Sequence, residues 1–231
     1  VSNSNSLSFD GQDDYVSLTP VNLNQSNKIT ISSWVYIADI NDGILTWFRQ
    51  QNLSIHSPEF LLQYYNGIIN FGLETTSEYD ELIINIDPNI MDNKWVNVTA
   101  SYDGNHKFLY LNGILIDSNN QIGNTIFDNS GISRIGSHET NEYFNGYLDE
   151  FVIWSKCLSH EEIQNYVSCP PVGNEAGLVG YWNFNEGSGS TITDLTSNGN
   201  NGTINGASWS SETPNQYCNN CTATDSVMVN V

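Results

Sequence analysis

An all-β fold, two antiparallel sheets packed as a sandwich or jelly roll, is what this chain predicts, and three observations carry that expectation. Segments of alternating apolar residues recur along most of its length. Short turn signatures separate them at brief intervals. One convincing helix interrupts the pattern.

The elements follow in order. Leu7-Ser-Phe-Asp-Gly-Gln-Asp-Asp-Tyr-Val-Ser-Leu18 reads as a strand, a turn and a second strand; the turn centres on Asp10-Gly11 and carries Asp13 and Asp14. Ile29, Ile31, Val35 and Ile37 share one face of the next strand. Strands are also expected from Ile44 to Arg49, Phe60 to Tyr65 and Ile68 to Leu73. Asn66-Gly67 marks a two-residue hairpin between the last two, because both turn positions need positive φ. A short strand runs from Leu82 to Ile86 and ends before Pro88. Trp95 to Tyr102 alternates again, Asp103-Gly104 turns it into Lys107 to Leu111, and Asn112-Gly113 turns that into Ile114 to Asp117. Ile132 to Gly136 is a short strand. The helix begins at Ser159, which forms a capping box with Glu162, and stops near Tyr166 or Val167, before Cys169-Pro170-Pro171.

Gly146-Tyr-Leu-Asp-Glu-Phe-Val-Ile-Trp154 is the stretch with the most chemistry in it. Strict alternation places Tyr147, Asp149, Phe151 and Ile153 on one face. A carboxylate among core residues needs a cation or several hydrogen-bond donors. Asp149 is therefore either a metal ligand or a buried acceptor for backbone N–H groups.

With 231 residues, 39% of them hydrophobic, the chain can bury one large β domain or two small ones. Six Lys plus Arg face 26 Asp plus Glu, a formal charge of −20, which repels phosphate backbones and excludes nucleic acid as a partner. No apolar run has the length of a membrane span, so no membrane insertion is expected. No signal peptide is recognisable, and Val1 in place of Met reads as the start of a mature or excised piece. Cys157, Cys169, Cys218 and Cys221 lack neighbouring histidines; extracellular disulfides are their expected use.

Together these segments resemble a known family. Leu7-Ser-Phe-Asp-Gly, Ile29-Thr-Ile-Ser-Ser-Trp-Val, Trp95-Val-Asn-Val-Thr-Ala-Ser-Tyr-Asp-Gly, Leu111-Asn-Gly, Gly146-Tyr-Leu-Asp-Glu-Phe-Val-Ile-Trp and the helix start Leu158-Ser-His-Glu-Glu-Ile are similar to laminin-G-like jelly rolls of the concanavalin A-like lectin and glucanase superfamily. The likeness covers most of Leu7 to Trp209. One departure matters. The block from Gly180 to Trp209 looks like the segment that usually opens such a domain, yet here it follows the helix and the Pro170 to Ala176 linker. Either a second copy begins and is cut short, or one domain is circularly permuted. The second reading is preferred: residues 1–217 form one domain, 177–209 complete the sandwich from the C-terminal side, and 218–231 are a tail or the start of a following domain. A Cys169–Cys218 disulfide would then tether the returning segment, with Cys157 a buried thiol.

The resemblance implies Ca²⁺, with Asp10, Asp13, Asp14 and Asp149 as ligands beside main-chain oxygens. Asp194, in a Ser/Thr/Asn-rich loop, is expected to form a turn. The glucanases of the superfamily set paired carboxylates on one strand, but here Glu78 and Asp80 have the spacing while position 83 is Ile. His56, His106, His138 and His160 show no metal or triad spacing. No catalytic residues are assigned. Sugar sites of lectin-like sandwiches combine exposed aromatic faces with amide and acid side chains, and Trp47, Tyr64, Tyr65, Tyr79, Tyr143 and Phe144 are the aromatic candidates. The expected function is a non-catalytic carbohydrate-binding module, with structural calcium, of a larger secreted or cell-surface protein whose ligand is a polysaccharide or glycoconjugate. The alternatives are an adhesion or protein-interaction module without sugar specificity, and, behind it, a glycoside hydrolase. The acidic, Asn- and Ser-rich style and the Cys221-Thr-Ala-Thr-Asp-Ser-Val tail resemble surface proteins of marine Bacteroidetes.

Overall fold

The computed structural model describes residues 3–19, 26–39, 45–51, 58–125, 132–138, 142–216 and 218; at 45–51, 58–59 and 132 it describes the backbone. The strands are β1 Ser6–Asp10, β2 Tyr15–Leu18, β3 Ile29–Ile37, β4 Leu45–Gln51, β5 Pro58–Tyr65, β6 Ile68–Glu74, β7 Tyr79–Asn85, β8 Trp95–Tyr102, β9 His106–Leu111, β10 Ile114–Asn120, β11 Ile132–Ile135, β12 Asn145–Trp154, β13 Leu178–Trp182, β14 Thr191–Ile192, β15 Gly202–Asn205 and β16 Ser208–Ser210. Two helices, α1 Pro88–Met91 and α2 His160–Ser168, complete the set among the described residues.

Two antiparallel sheets pack face to face. The first runs β10-β9-β8-β3-β12-β1-β16, with β13 also on β12; the second runs β14-β15-β2-β11-β4-β5-β6-β7. Alternation in each strand sends one set of side chains between the sheets. Val35 and Ile37 from β3, Val98 and Ala100 from β8, Phe71 and Leu73 from β6, and Leu148 from β12 meet in the main core. A second, smaller core lies on the outer face of the first sheet, where Ile163 of α2 and Leu158 cover Val152, Trp154, Tyr110 and Tyr181.

Local chemistry explains the connections. Asn66 and Gly67 hold φ of 49° and 80°, and Asn112 and Gly113 hold 49° and 75°, as the two hairpins require. The α2 capping box is complete: Ser159 Oγ accepts from Glu162 N–H, and the Glu162 carboxylate accepts from Ser159 N–H. One segment departs from expectation. The short strand expected from Leu82 begins earlier, at Tyr79 in β7, where Asp80 already pairs with Leu73 across the ladder.

The C-terminal segment contributes to both sheets. β13 pairs with β12, β15 with β2 and β16 with β1. The Cys169–Cys218 disulfide closes across a sequence separation of 49, and Cys157 is a free thiol. Cys221 and the tail lie outside the described residues.

β12 is the pivot. β3 runs along one edge of it; β1 covers Asn145 to Leu148 of the other edge, and β13 covers Phe151 to Trp154. Between them the register slips: Asp149 stands opposite Trp34 and Val152 opposite Ser32, so Glu150 and Phe151 share the space facing Ser33. Glu150 takes φ 52°, a left-handed conformation suited to such a bulge. The extra residue inverts the alternation. Leu148, Phe151 and Ile153 point into the main core, while Asp149, paired with Trp34, belongs to the outer face. This corrects the expectation that Asp149 shares a face with Phe151 and Ile153: a bulge undoes the period of two.

Candidate functional site

The outer face of the first sheet carries an aromatic cluster that no single strand reveals. Tyr36 on β3 stands directly opposite Trp95 on β8 and Tyr147 on β12. Their rings meet edge to face: Tyr36–Trp95 at 5.8 Å, Tyr36–Tyr147 at 5.4 Å, with Trp95–Tyr147 tilted at 6.3 Å. All three are half-buried rather than covered. A groove of about 470 Å³ runs beside them, lined by Trp34, Tyr36 and Trp95 together with Asn93, Asn112 and Asn215. Trp34 is 8% exposed, and its indole Nε1–H is buried with no acceptor among the described residues. Tyr36 OH donates to Asn93 Oδ1 at 3.4 Å, and Asn112 Oδ1 accepts from Asn97 N–H at 2.9 Å, so both amides are fixed in place. Lys94 is the one charged lining residue.

Aromatic faces and oriented amides are what a polyhydroxyl ligand meets in a binding site: rings cover its C–H faces and amides take its hydroxyls. No pair of carboxylates lines this groove, which hydrolysis of a glycoside needs. Nor do Glu78 and Asp80 supply one. Asp80 Oδ2 takes Lys107 Nζ at 2.8 Å and Asn119 Nδ2 at 2.9 Å. Burial pushes the Asp80 carboxyl up, but these partners outweigh it and hold it below its ordinary value, the wrong direction for a general acid.

The predicted aromatic set lies elsewhere. Tyr64 is 1% exposed in the main core, its hydroxyl accepting from Gly67 N–H at 2.8 Å. Phe144 is fully buried against Phe9. Neither ring offers a face to a ligand, which corrects their assignment: both fill the sandwich. Tyr79 is half-buried, its hydroxyl donating to Glu81. Tyr65 is 44% exposed at the Asn66-Gly67 turn, and Tyr143 is half-buried in a bridge to Ser137. The Trp47 side chain and His56 lie outside the described residues.

The early turn does assemble acids. Carboxylate oxygens of Asp10, Asp13 and Asp14 lie within 4.8 Å of one another. Asp14 is 7% exposed. Its Oδ2 accepts from Asp10 N–H at 2.9 Å, and a Cβ at Gly206 would come within 2.0 Å of its Oδ1. Glycine there makes room for the carboxylate. Burial raises the Asp14 carboxyl, and the charges of Asp10 and Asp13 raise it further against the Asp10 N–H. Three hard oxygens held together at such a cost fit a divalent cation of calcium type. Asp149 does not join them. Asp10 faces Asn145, and Asp149 lies four residues further along β12, about 13 Å at strand rise. Its oxygens accept instead from Asn3 Nδ2 at 2.6 Å and Glu150 N–H at 2.8 Å. Asp194 acts as a turn former, accepting from the N–H groups of Tyr181, Thr196 and Asn200.

Comparison with known proteins bears on this geometry. A laminin-G-type family model, described as the concanavalin A-like lectin/glucanases superfamily, matches residues 10–164. The chain belongs to that superfamily. Human pappalysin-1 is 27% identical over 97 residues, 40% of this chain and 6% of that protein. Among solved structures, a Bacteroides ovatus protein provisionally described as carbohydrate binding superposes with a TM-score of 0.71 at 17% identity, over 95% of this chain and 63% of its own. A heptameric SAP-like pentraxin from Limulus polyphemus gives 0.55 at 16% identity, over 74% and 84%. The binding domain of botulinum neurotoxin serotype D gives 0.57 at 19%, over 84% and 54%. At these identities the three structures establish the shared fold.

The groove residues were missed in the sequence for a definite reason. Tyr36 occupies a solvent-face position of an alternating strand, which is a legible signal, but strict alternation groups Tyr147 with the core residues Phe151 and Ile153, and only the β12 bulge turns it outward. Their union depends on β12, β3 and β8 being neighbours.

Proposed function

We propose that this domain is a non-catalytic carbohydrate-binding module of a larger secreted or cell-surface protein, taking a glycan in the Tyr36–Trp95 groove. The observation that carries this is the half-exposed aromatic trio beside the two fixed amides of Asn93 and Asn112. The superfamily and the Bacteroides ovatus likeness support it. The disulfide supports an oxidising location. No helix among the described residues is long and apolar enough to cross a membrane. The Asp10–Asp14 turn would hold a structural Ca²⁺ through the carboxylates of Asp10, Asp13 and Asp14, where the ion would offset their mutual repulsion. We also propose that the chain is circularly permuted, β13 to β16 supplying from the C-terminal side what such domains usually place first.

A glycan array followed by calorimetry tests the groove. Trp95→Ala is expected to weaken the best glycan roughly ten-fold, the loss of one stacked ring. Absence of binding to every glycan, or unchanged affinity in Trp95→Ala, refutes it. A second reading, a protein-interaction module, has its own support. β10 is an edge strand with Ile114, Leu115 and Ile116 exposed at 61%, 45% and 41%, a surface open to strand addition.

A further inference from the structure

Where β1 stops and β13 begins along β12, the bulge leaves a seam in the sheet edge. A cavity of about 450 Å³ opens there beside the Cys169–Cys218 disulfide, and Asn3, Glu150, Tyr181, Asn183, Asn185 and Gln216 contribute to its wall. That size suits a small organic ligand rather than a bare ion.

The wall is rich in acceptors that lack donors. Glu150 is 5% exposed; its Oε2 takes the Tyr181 hydroxyl at 2.5 Å, and its Oε1 has no hydrogen-bond partner among the described residues. Asn3 donates its Nδ2 to Asp149, and its Oδ1 is buried with no partner among the described residues. Gln216 donates its Nε2 to Val167 O at 3.3 Å, and its Oε1 is likewise buried with no partner among the described residues. No Lys, Arg or His stands among the lining residues. Leaving such oxygens unsatisfied is unfavourable, so the complementary group is one that only donates. A primary ammonium does so, with three N–H bonds and a positive charge. The opposite wall differs. Asn185 Oδ1 already accepts from Ser4 and Asn5 N–H groups, so Nδ2 is the group it can offer, and Asn183 adds a second amide. These suit hydroxyl oxygens.

We propose that the seam pocket binds an amino sugar with a free ammonium, the ammonium held by Glu150, Asn3 and Gln216 and the ring hydroxyls by Asn183 and Asn185. Burial pushes the Glu150 carboxyl up to about 7, and an adjacent ammonium would keep it ionised. The site stands apart from the Tyr36–Trp95 groove, whose lining holds no acid.

The test is calorimetry with a glucosamine trisaccharide and its fully N-acetylated counterpart, at mildly acidic pH where the amine is charged. The amine form is expected to bind saturably and at least about ten-fold more tightly than the acetylated form, since acetylation removes the charge. Glu150→Gln should erase that preference while circular dichroism shows the fold kept; if this variant does not fold, Gln216→Ala should reduce it several-fold. Trp95→Ala should leave amine binding intact, so loss of the groove reading and loss of this one are separable. Equal affinity for the two trisaccharides, no binding of either, or tighter binding of lysine amide than of the amino sugar overturns the proposal.

Discussion

Glu150 sits in the left-handed region with one oxygen on the Tyr181 hydroxyl, and it is almost wholly buried. Burial raises its carboxyl from 4.5 to about 7, and burial, then the Glu150 charge, raises Asp149 well above its ordinary value. A carboxyl raised on folding stabilises the fold in its neutral form. That contribution is complete below about pH 4.5 and is lost as pH rises through about 7, amounting to about 3 kcal/mol for Glu150. Urea denaturation across this window should show wild-type stability falling with pH, and Glu150→Gln should flatten the slope. Lys107 presents the opposite arrangement. It is fully buried, 2.8 Å from Asp80 and 5.7 Å from the Phe71 ring centre, while the Asp80 side chain is 38% exposed. The pair joins β9 of one sheet to β7 of the other. Removing the acid strands a buried cation; removing the cation leaves an acid that water can reach. Asp80→Asn should therefore cost about 3 kcal/mol or more, and Lys107→Met roughly 1 kcal/mol, by guanidinium denaturation. Equal losses would contradict the asymmetry.

β12 and the first turn show how elements make sites. Without its bulge, β12 would keep Asp149 on the face of Phe151 and Ile153, and a continuous partner could run along its free edge. With it, two strands share that edge and the acids turn outward into a seam. The turn between β1 and β2 acts differently: a few residues fold three carboxylates together, and Gly206, at the corner between β15 and β16, gives Asp14 its space. A cation there would bind the folded chain alone and stabilise it by mass action. Adding calcium should raise the melting temperature of the chelator-treated protein, and Gly206→Ala should abolish the increment by pushing on the Asp14 carboxylate. The Asp149→Asn variant should keep the increment, because Asp149 is remote from the turn. An unchanged melting temperature on adding calcium would rule out an ion at this turn.

At the scale of the molecule, the returning C-terminal segment is held at one point by a covalent bond. Cys169 and Cys218 enclose a loop of about fifty residues that contains β13 to β16. Chain-entropy reasoning gives such a closure about 4 kcal/mol. The Cys169→Ser, Cys218→Ser double variant should lose about that much on chemical denaturation; retention of full stability would mean that sheet pairing alone secures the segment. Much of this architecture was legible beforehand. The Asn66-Gly67 and Asn112-Gly113 turns, the Ser159–Glu162 cap and the alternation of β3 and β8 are set by neighbours a few residues apart, where steric and hydrogen-bonding rules act directly. The acidic turn was legible for the same reason, its three ligand-type residues falling within five positions. Tyr64 and Phe144 were misread because an aromatic near a turn looks the same whether its ring faces the core or the solvent. The chain on its own determined a sandwich of alternating strands, one capped helix and an acid-bearing turn, since each follows from local periodicity and backbone preference. Only the tertiary structure decided that three separated aromatics form one platform, and that Glu150 breaks the pleat to open a pocket, because strand order and register arise from contacts between residues far apart in sequence.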